Sequence, residues 1–471
     1  MSPFRSWLPI LLFLSANSFA QLRLPSVLSS GMVLQQNDSV NFWGWGYNGQ
    51  QVKITGSWDN STTSGVISNV GKFSFKIKTP SAGGPYTIHV SSESGEIVLT
   101  DVMIGEVWLC SGQSNMEWSY YNGAGYIKQE LPGCYNDKIR FFQVPRTASD
   151  YPQDDLRAGW KICDSNSLKS FSAVGYYFGK KLQHDLNVPI GLINSSWGGT
   201  PAETWTPLES INNNDSLKGA AAQLSEVPWG PVKPALLYNG MIAPLTHYSI
   251  AGAIWYQGEA NVGTFHTYSL LLSTMIDSWR NKWHKEFPFY FVQIAPYKYG
   301  SKNVGALLQE QQSHTMTHSH TGMVVITDLI DSVTNIHPSN KRDVGYRLAN
   351  WALAEAYRKN IGQYKSPTLI KSEVIKDKIT LSFDNAPNGL VAKDKQIAGF
   401  YIAGENEEWL PAEARIDNNK IVVWNKTLAK PRQVRYGFGN TIVGNVFSKE
   451  GLPLTPFRTD DWPVDLSPEK N

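Results

Sequence analysis

Apolar and polar residues alternate along residues 21–103 in short runs. Residues 39–45, 51–55, 72–77 and 86–90 place an apolar side chain at nearly every second position, the period of a half-buried strand. Asn-Gly, Ser-Gly and Gly-Gly turn signals separate them, so the pattern predicts a small β-sandwich over residues 21–103. At Ile104 the character changes. Continuous apolar runs at 107–109, 188–193, 250–256, 289–294 and 323–327 are spaced by segments with helical period, notably 173–184, 268–282 and 343–359. Strands covered by helices on both faces read as unbroken apolar runs. The alternation predicts a doubly wound α/β unit with a parallel sheet over residues 104–362. From residue 363 to 471 short alternating strands return, at 379–383, 399–403 and 420–424, and predict a C-terminal β-rich, sandwich- or jelly-roll-like segment.

The first twenty residues carry a different pattern. Arg5, an apolar run over 7–14 and Ser18-Phe19-Ala20 read as a cleaved export signal, which implies a secreted or periplasmic protein. That run is too short to span a bilayer, and no later run reaches about 18 apolar residues, so no membrane span is expected. With 42 Lys+Arg against 40 Asp+Glu, the net charge of +2 leaves no electrostatic footprint for nucleic acid. Three cysteines allow one disulfide at most, with Cys134–Cys163 the expected pair, and their spacing is not that of a zinc site.

In an open parallel sheet the ligand site lies beyond the carboxyl ends of the strands. Three apolar runs end there in polar, glycine-bearing loops: Cys110-Ser111-Gly112-Gln113-Ser114-Asn115-Met116, Asn194-Ser195-Ser196-Trp197-Gly198-Gly199-Thr200 and Gln257-Gly258-Glu259-Ala260-Asn261. A fourth leads through Asp328 and Asp331 to Ile336-His337-Pro338. A serine, a Gly-Gly turn, a side-chain amide, and a late carboxylate with a histidine are the parts of an acyl-transfer site. The serine attacks, the histidine takes its proton, the carboxylate holds the imidazole, and backbone N–H groups with the amide hold the oxyanion. Taken singly, each part also fits a turn, a cap or a loop tie.

These blocks, with Leu24-Pro25-Ser26-Val27, Tyr238-Asn239-Gly240-Met241 and Gly451-Leu452-Pro453 in the same order, resemble the sialate O-acetylesterase family of SGNH (GDSL-like) hydrolases. The resemblance implies an SGNH-type α/β catalytic fold and removal of O-acetyl groups from sugars through an acetyl-serine, with no cofactor. It implies Ser114 as nucleophile and His337 as general base and acid. The oxyanion donors it implies are the Ser114 N–H, a Gly198 or Gly199 N–H and the Gln257 side chain, with Glu259 and Asn261 as supports. One position departs from the SGNH pattern. The usual aspartate three residues before the histidine falls on Thr334, leaving Asp331, preferred, or Asp328 as the orienting carboxylate, or a Ser–His dyad. The implied substrate is O-acetylated sialic acid; relatives acting on acetylated xylan or xyloglucan share the motifs.

Other readings compete. Trp43, Trp45, Trp197, Trp205 and Trp255 suit either a non-catalytic sugar-binding protein or an apolar core. His314 and His318 share a helix face with His320 nearby but lack an H-E-x-x-H glutamate, so metal ligation is not expected. Lys341, Arg342 and Arg347 suit either an anionic substrate group or a solvated helix face.

Overall fold

The computed structural model describes residues 21–469, and the export signal read at residues 1–20 lies outside them. Among the described residues no helix is long and apolar enough to cross a membrane. Near the N-terminus Ser39–Trp45 pairs with Lys72–Lys78, and Gln51–Gly56 pairs with Thr62–Val66 and Gly83–Ser92. The inward residues Val40, Phe42, Ile54, Ile77 and Val90 are buried in one apolar cluster, as two facing strand layers require.

The central sheet is built from β1 (Gly95–Gly112), β2 (Asn136–Gln143), β3 (Trp160–Cys163), β4 (Ile190–Ser196), β5 (Gly252–Tyr256), β6 (Phe289–Val292) and β7 (Thr321–Val324). Their spatial order is β7-β6-β5-β1-β4-β2-β3, with every neighbouring pair parallel except β2–β3. The 18-residue β1 serves two sheets: its first half pairs with Gly83–Ser92, its second with β4 and β5.

Burial on both faces follows from the sequence with a period of two. Val107, Leu109, Ala253, Trp255, Phe289 and Phe291 belong to one buried cluster, while the alternate residues Trp108, Cys110, Ile254, Tyr256 and Tyr290 belong to another. Five helices matter for the site: α1 (Ser114–Glu117), α2 (Ala173–Leu186), α3 (Tyr268–Trp283), α4 (Val304–Thr315) and α5 (Lys341–Trp351). Residues of α2 and α5 join the second cluster, residues of α3 and α4 the first, so the helices cover opposite faces of the sheet.

Local capping fixes the helix ends. The Ser172 side chain accepts from the Gly175 N–H at the start of α2, and Asn187 closes it in the left-handed region. The α5 segment begins at Lys341, ahead of the expected residue 343, because the Asn340 side chain accepts from the Asp343 N–H. It ends early as well, giving way to a π turn at Ala352–Ala356, and Arg358 has a positive φ of 54°. The strands β2 and β3 escape the sequence pattern. Charges interrupt β2, yet its Arg140 is buried at 3% exposure and forks onto Asp101.

The C-terminal strands form two four-stranded sheets, Thr368–Ile375 with Lys378–Asp384, Lys420–Trp424 and Glu413–Asp417, and Trp409–Pro411 with Phe400–Ala403, Gln433–Tyr436 and Phe457–Arg458. Leu381, Ile421, Ile402 and Val434 share the cluster between them. The expected Cys134–Cys163 disulfide is not formed. Each thiol turns to a carbonyl instead, Cys163 Sγ to Cys134 O at 3.1 Å and Cys134 Sγ to Leu131 O at 3.3 Å, and both cysteines are free.

Candidate active site

The sheet order reverses around β1, with β4 on one side and β5 on the other, which is where a doubly wound sheet opens a crevice. Gly112 ends β1 at a φ of 134°, and a Cβ there would lie 2.2 Å from Tyr256 O, so only glycine fits the bend that turns the chain into α1. Ser114 is the first residue of α1, so its N–H has no acceptor within the helix and is free for a ligand. Its Oγ lies 2.9 Å from Nε2 of His337.

Ser114 and His337 sit on the wall of a cavity of about 770 Å³. Gly198, Gly199, Gln113, Glu117, Trp118 and Arg146 line it with them. The His337 ring stacks on Trp118 at 4.0 Å between centroids and 20° between planes. Burial, with the Lys341 ammonium nearby, holds its pKa down at about 4, so the imidazole is neutral in ordinary buffers. With the proton on Nδ1, Nε2 accepts from the Ser114 hydroxyl.

No carboxylate meets the Nδ1 side among the described residues. Asp331 accepts from the Ser339 N–H at 2.7 Å and the Ser339 hydroxyl at 2.6 Å, so it closes the loop carrying His337 without reaching the ring. Asp328 is taken up by a two-pronged pair with Arg347, at 2.8 and 2.7 Å. The orienting role expected of either aspartate does not match these contacts.

Gln257 is also placed differently from expectation. It is fully buried and absent from the cavity wall. Its Nε2 donates to Asn261 Oδ1 at 2.7 Å and Thr200 O at 3.2 Å, and its Oε1 accepts from the Tyr268 hydroxyl at 2.8 Å. Both amide hydrogens are spent inside the fold, so none is left for an oxyanion. Of the two strand-ending glutamines, Gln113 is the one on the cavity wall. Its Oε1 accepts from the N–H groups of Ala260 at 3.2 Å and Gly258 at 3.5 Å, which turns Nε2 away from that loop and leaves it without a partner among the described residues. Sequence reading passed over Gln113 because two glutamines end strands at the site, and only the turn geometry says which faces the cavity.

Of the two glycines, Gly198 lies against the nucleophile, since a Cβ there would stand 3.2 Å from Ser114 Cβ. Its N–H donates at 2.9 Å to Glu117, whose carboxylate is paired with Arg146. The Gly199 N–H has no such partner among the described residues. Asn261 receives the Ala202 N–H at 2.9 Å and donates to Glu203 at 2.8 Å, binding the second and third loops together. Glu259 is buried, and its Oε1 accepts from Asn115 Nδ2 at 2.5 Å.

None of the remaining candidates lines the cavity. Trp43, Trp205 and Trp255 are buried in the core, while Trp197 donates its indole N–H to Trp229 O at 3.1 Å at the cavity rim. His318 pairs with Asp277 at 2.8 Å. Arg342 pairs with Asp343 at 3.1 Å and lies over the Tyr126 ring, while Lys341 is buried behind Ser114.

Residues 104–354 match the family described as carbohydrate esterase, sialic acid-specific acetylesterase. The human sialate O-acetylesterase is 29% identical over 462 residues, covering 90% of this chain and 87% of its own length. The mouse sialate O-acetylesterase is 27% identical over 482 residues, covering 88% and 89%. Among solved structures, a carbohydrate acetylesterase from Xanthomonas citri superposes with a TM-score of 0.85 at 34% identity, covering 94% of this chain and 100% of that one.

Proposed function

The chain belongs to the sialic acid-specific acetylesterase family of carbohydrate esterases, and from that premise we propose that Ser114 and His337 cleave O-acetyl esters of sugars as a dyad. The carrying observation is the 2.9 Å Ser114–His337 contact beside an unspent Gln113 amide on the cavity wall. Ser114 Oγ attacks the acetyl carbonyl as Nε2 of His337 takes its proton. The Ser114 N–H, the Gln113 Nε2–H and the Gly199 N–H stabilise the oxyanion. Collapse expels the sugar oxygen, which takes the proton back from His337, and leaves acetyl-Ser114. Water then attacks with His337 again as base, releasing acetate and the free serine. The oxyanion is the counter-charge to the imidazolium, a service that falls to a carboxylate in a triad.

Two expectations follow for the supporting groups. Gln113→Ala should lower kcat by about 10²–10³, the cost of one oxyanion donor, with the protein still folded by circular dichroism. Asp331→Asn should stay within about tenfold of wild type, because Asp331 touches the loop and not the ring, whereas a triad aspartate loses about 10⁴ on the same change. Steady-state acetate release measures both.

For the sugar itself, Arg146 is the one lysine or arginine among the cavity-lining residues, and it is already paired with Glu117. That observation supports a neutral acetylated polysaccharide beside the sialic acid reading, since among the described residues no unpaired lysine or arginine lines the cavity. Acetate release from O-acetylated sialic acid and from acetylated xylan, side by side, tests the choice through the ratio of kcat/KM. The residues 1–20 pattern supports export, so either substrate would be met outside the cytoplasm.

A further inference from the structure

Directly behind Ser114 lies a buried polar chain that the reaction does not consume. Lys341, Asn115 and Glu259 are 1%, 0% and 7% exposed. The Lys341 ammonium donates to Asn115 Oδ1, and Asn115 Nδ2 donates to Glu259 Oε1 at 2.5 Å and to the Ile336 carbonyl at 3.0 Å. The amide orientation is fixed by chemistry, because the Ile336 carbonyl only accepts and so must face Nδ2; burial meanwhile lowers the Lys341 pKa to about 7 and raises that of Glu259. Lys341 also lies over the ring of Tyr256, 5.2 Å from its centroid.

Burying a lysine and a glutamate this way costs desolvation that apolar residues of the same volume would avoid. The arrangement has a geometric consequence. Asn115 follows Ser114 and Ile336 precedes His337, so one side-chain amide spans both catalytic loops at the residue next to each catalytic group. The lysine and the glutamate hold that amide from either side. His337 meanwhile has Trp118 against its face and no carboxylate at Nδ1.

Resting on the Ser114–His337 reading, we propose that Lys341, Asn115 and Glu259 form a positioning clamp. It sets the register of the two catalytic loops from the backbone side, where a triad would orient the imidazole from the ring side. None of the three touches the reacting atoms. The charged groups around His337 are Lys341 on α5, Glu259 after β5, Asp331 on its own loop, and Glu117 with Arg146 across the cavity.

The test compares wild type, Lys341→Met, Asn115→Ala and Ser114→Ala, by acetate-release kinetics and by an NMR titration of the His337 imidazole. Both clamp variants should lose about 100-fold in kcat with KM nearly unchanged, the signature of misplaced rather than missing catalytic groups. In Lys341→Met the His337 titration should also move to higher pH, because the ammonium that opposes imidazolium formation is gone. Loss of a nearby ammonium moves that titration through charge alone, so the fall in kcat at nearly constant KM, shared by Lys341→Met and Asn115→Ala, is the readout that separates a clamp from a lysine that only supports the fold. The Lys341→Met/Glu259→Gln double variant leaves no unpaired buried charge, so it carries the same two readouts if the single variant does not fold. Clamp variants that keep wild-type kcat overturn the clamp, whatever the His337 titration does. Ser114→Ala with undiminished acetate release overturns the dyad reading instead, and the kcat of Lys341→Met and Asn115→Ala against wild type still decides the clamp.

Discussion

Ser114→Ala is expected to lower acetate release by about 10⁴–10⁶ while leaving sugar binding close to wild type. The magnitude follows from what the substitution removes. Alanine deletes the attacking oxygen, but keeps the Ser114 N–H, the Gly199 N–H and the Gln113 amide in place. Residual rate over water would come from that oxyanion site alone. Because Ser114 Cβ already lies where a Gly198 Cβ would stand 3.2 Å away, the smaller side chain also fits without repacking. Steady-state kinetics together with glycan binding to the variant check both halves of the expectation.

The second large effect is at His337. His337→Ala should cost as much as Ser114→Ala, and the double variant should be no worse than either, since the two groups act as one unit and their effects do not add. Nothing described stands ready to substitute for the base. Asp331 is spent on Ser339, and Lys341 is held by Asn115. Burial keeps the imidazole neutral down to about pH 4, so in the wild type activity should hold across mildly acidic buffers and fall only as His337 becomes protonated. An additive double variant would show that the two residues serve separate steps.

Much of the fold was legible because two-sided burial writes itself into the sequence. The runs that become β4, β5 and β6 are apolar at odd and even positions alike, and each feeds both buried clusters. The strand β2 was hidden by the same logic run backwards, since Asp137, Lys138 and Arg140 look like a solvated segment until Arg140 is seen paired with Asp101. At the site, loop membership was legible and direction was not. Gln113 and Gln257 both end parallel strands, yet the turn at Gly258 buries Gln257 against Asn261 and leaves Gln113 on the cavity. Lys341 opens a helix among charged neighbours, which in sequence reads as a wet face. Only the packing of α5 behind α1 shows that it points inward to Asn115. Asp331 lies close in sequence to His337, and spacing could not tell a carboxylate that braces a loop from one that orients a ring.

The most direct test of the central claim is to quench the wild-type enzyme in acid during turnover of an acetylated glycan and map acetyl groups by peptide mass spectrometry. One acetyl group is expected on the peptide carrying Ser114, and neither that adduct nor rapid acetate release in Ser114→Ala. Acetate released at the wild-type rate by Ser114→Ala, with no acetyl group found on the wild-type Ser114 peptide, would contradict it.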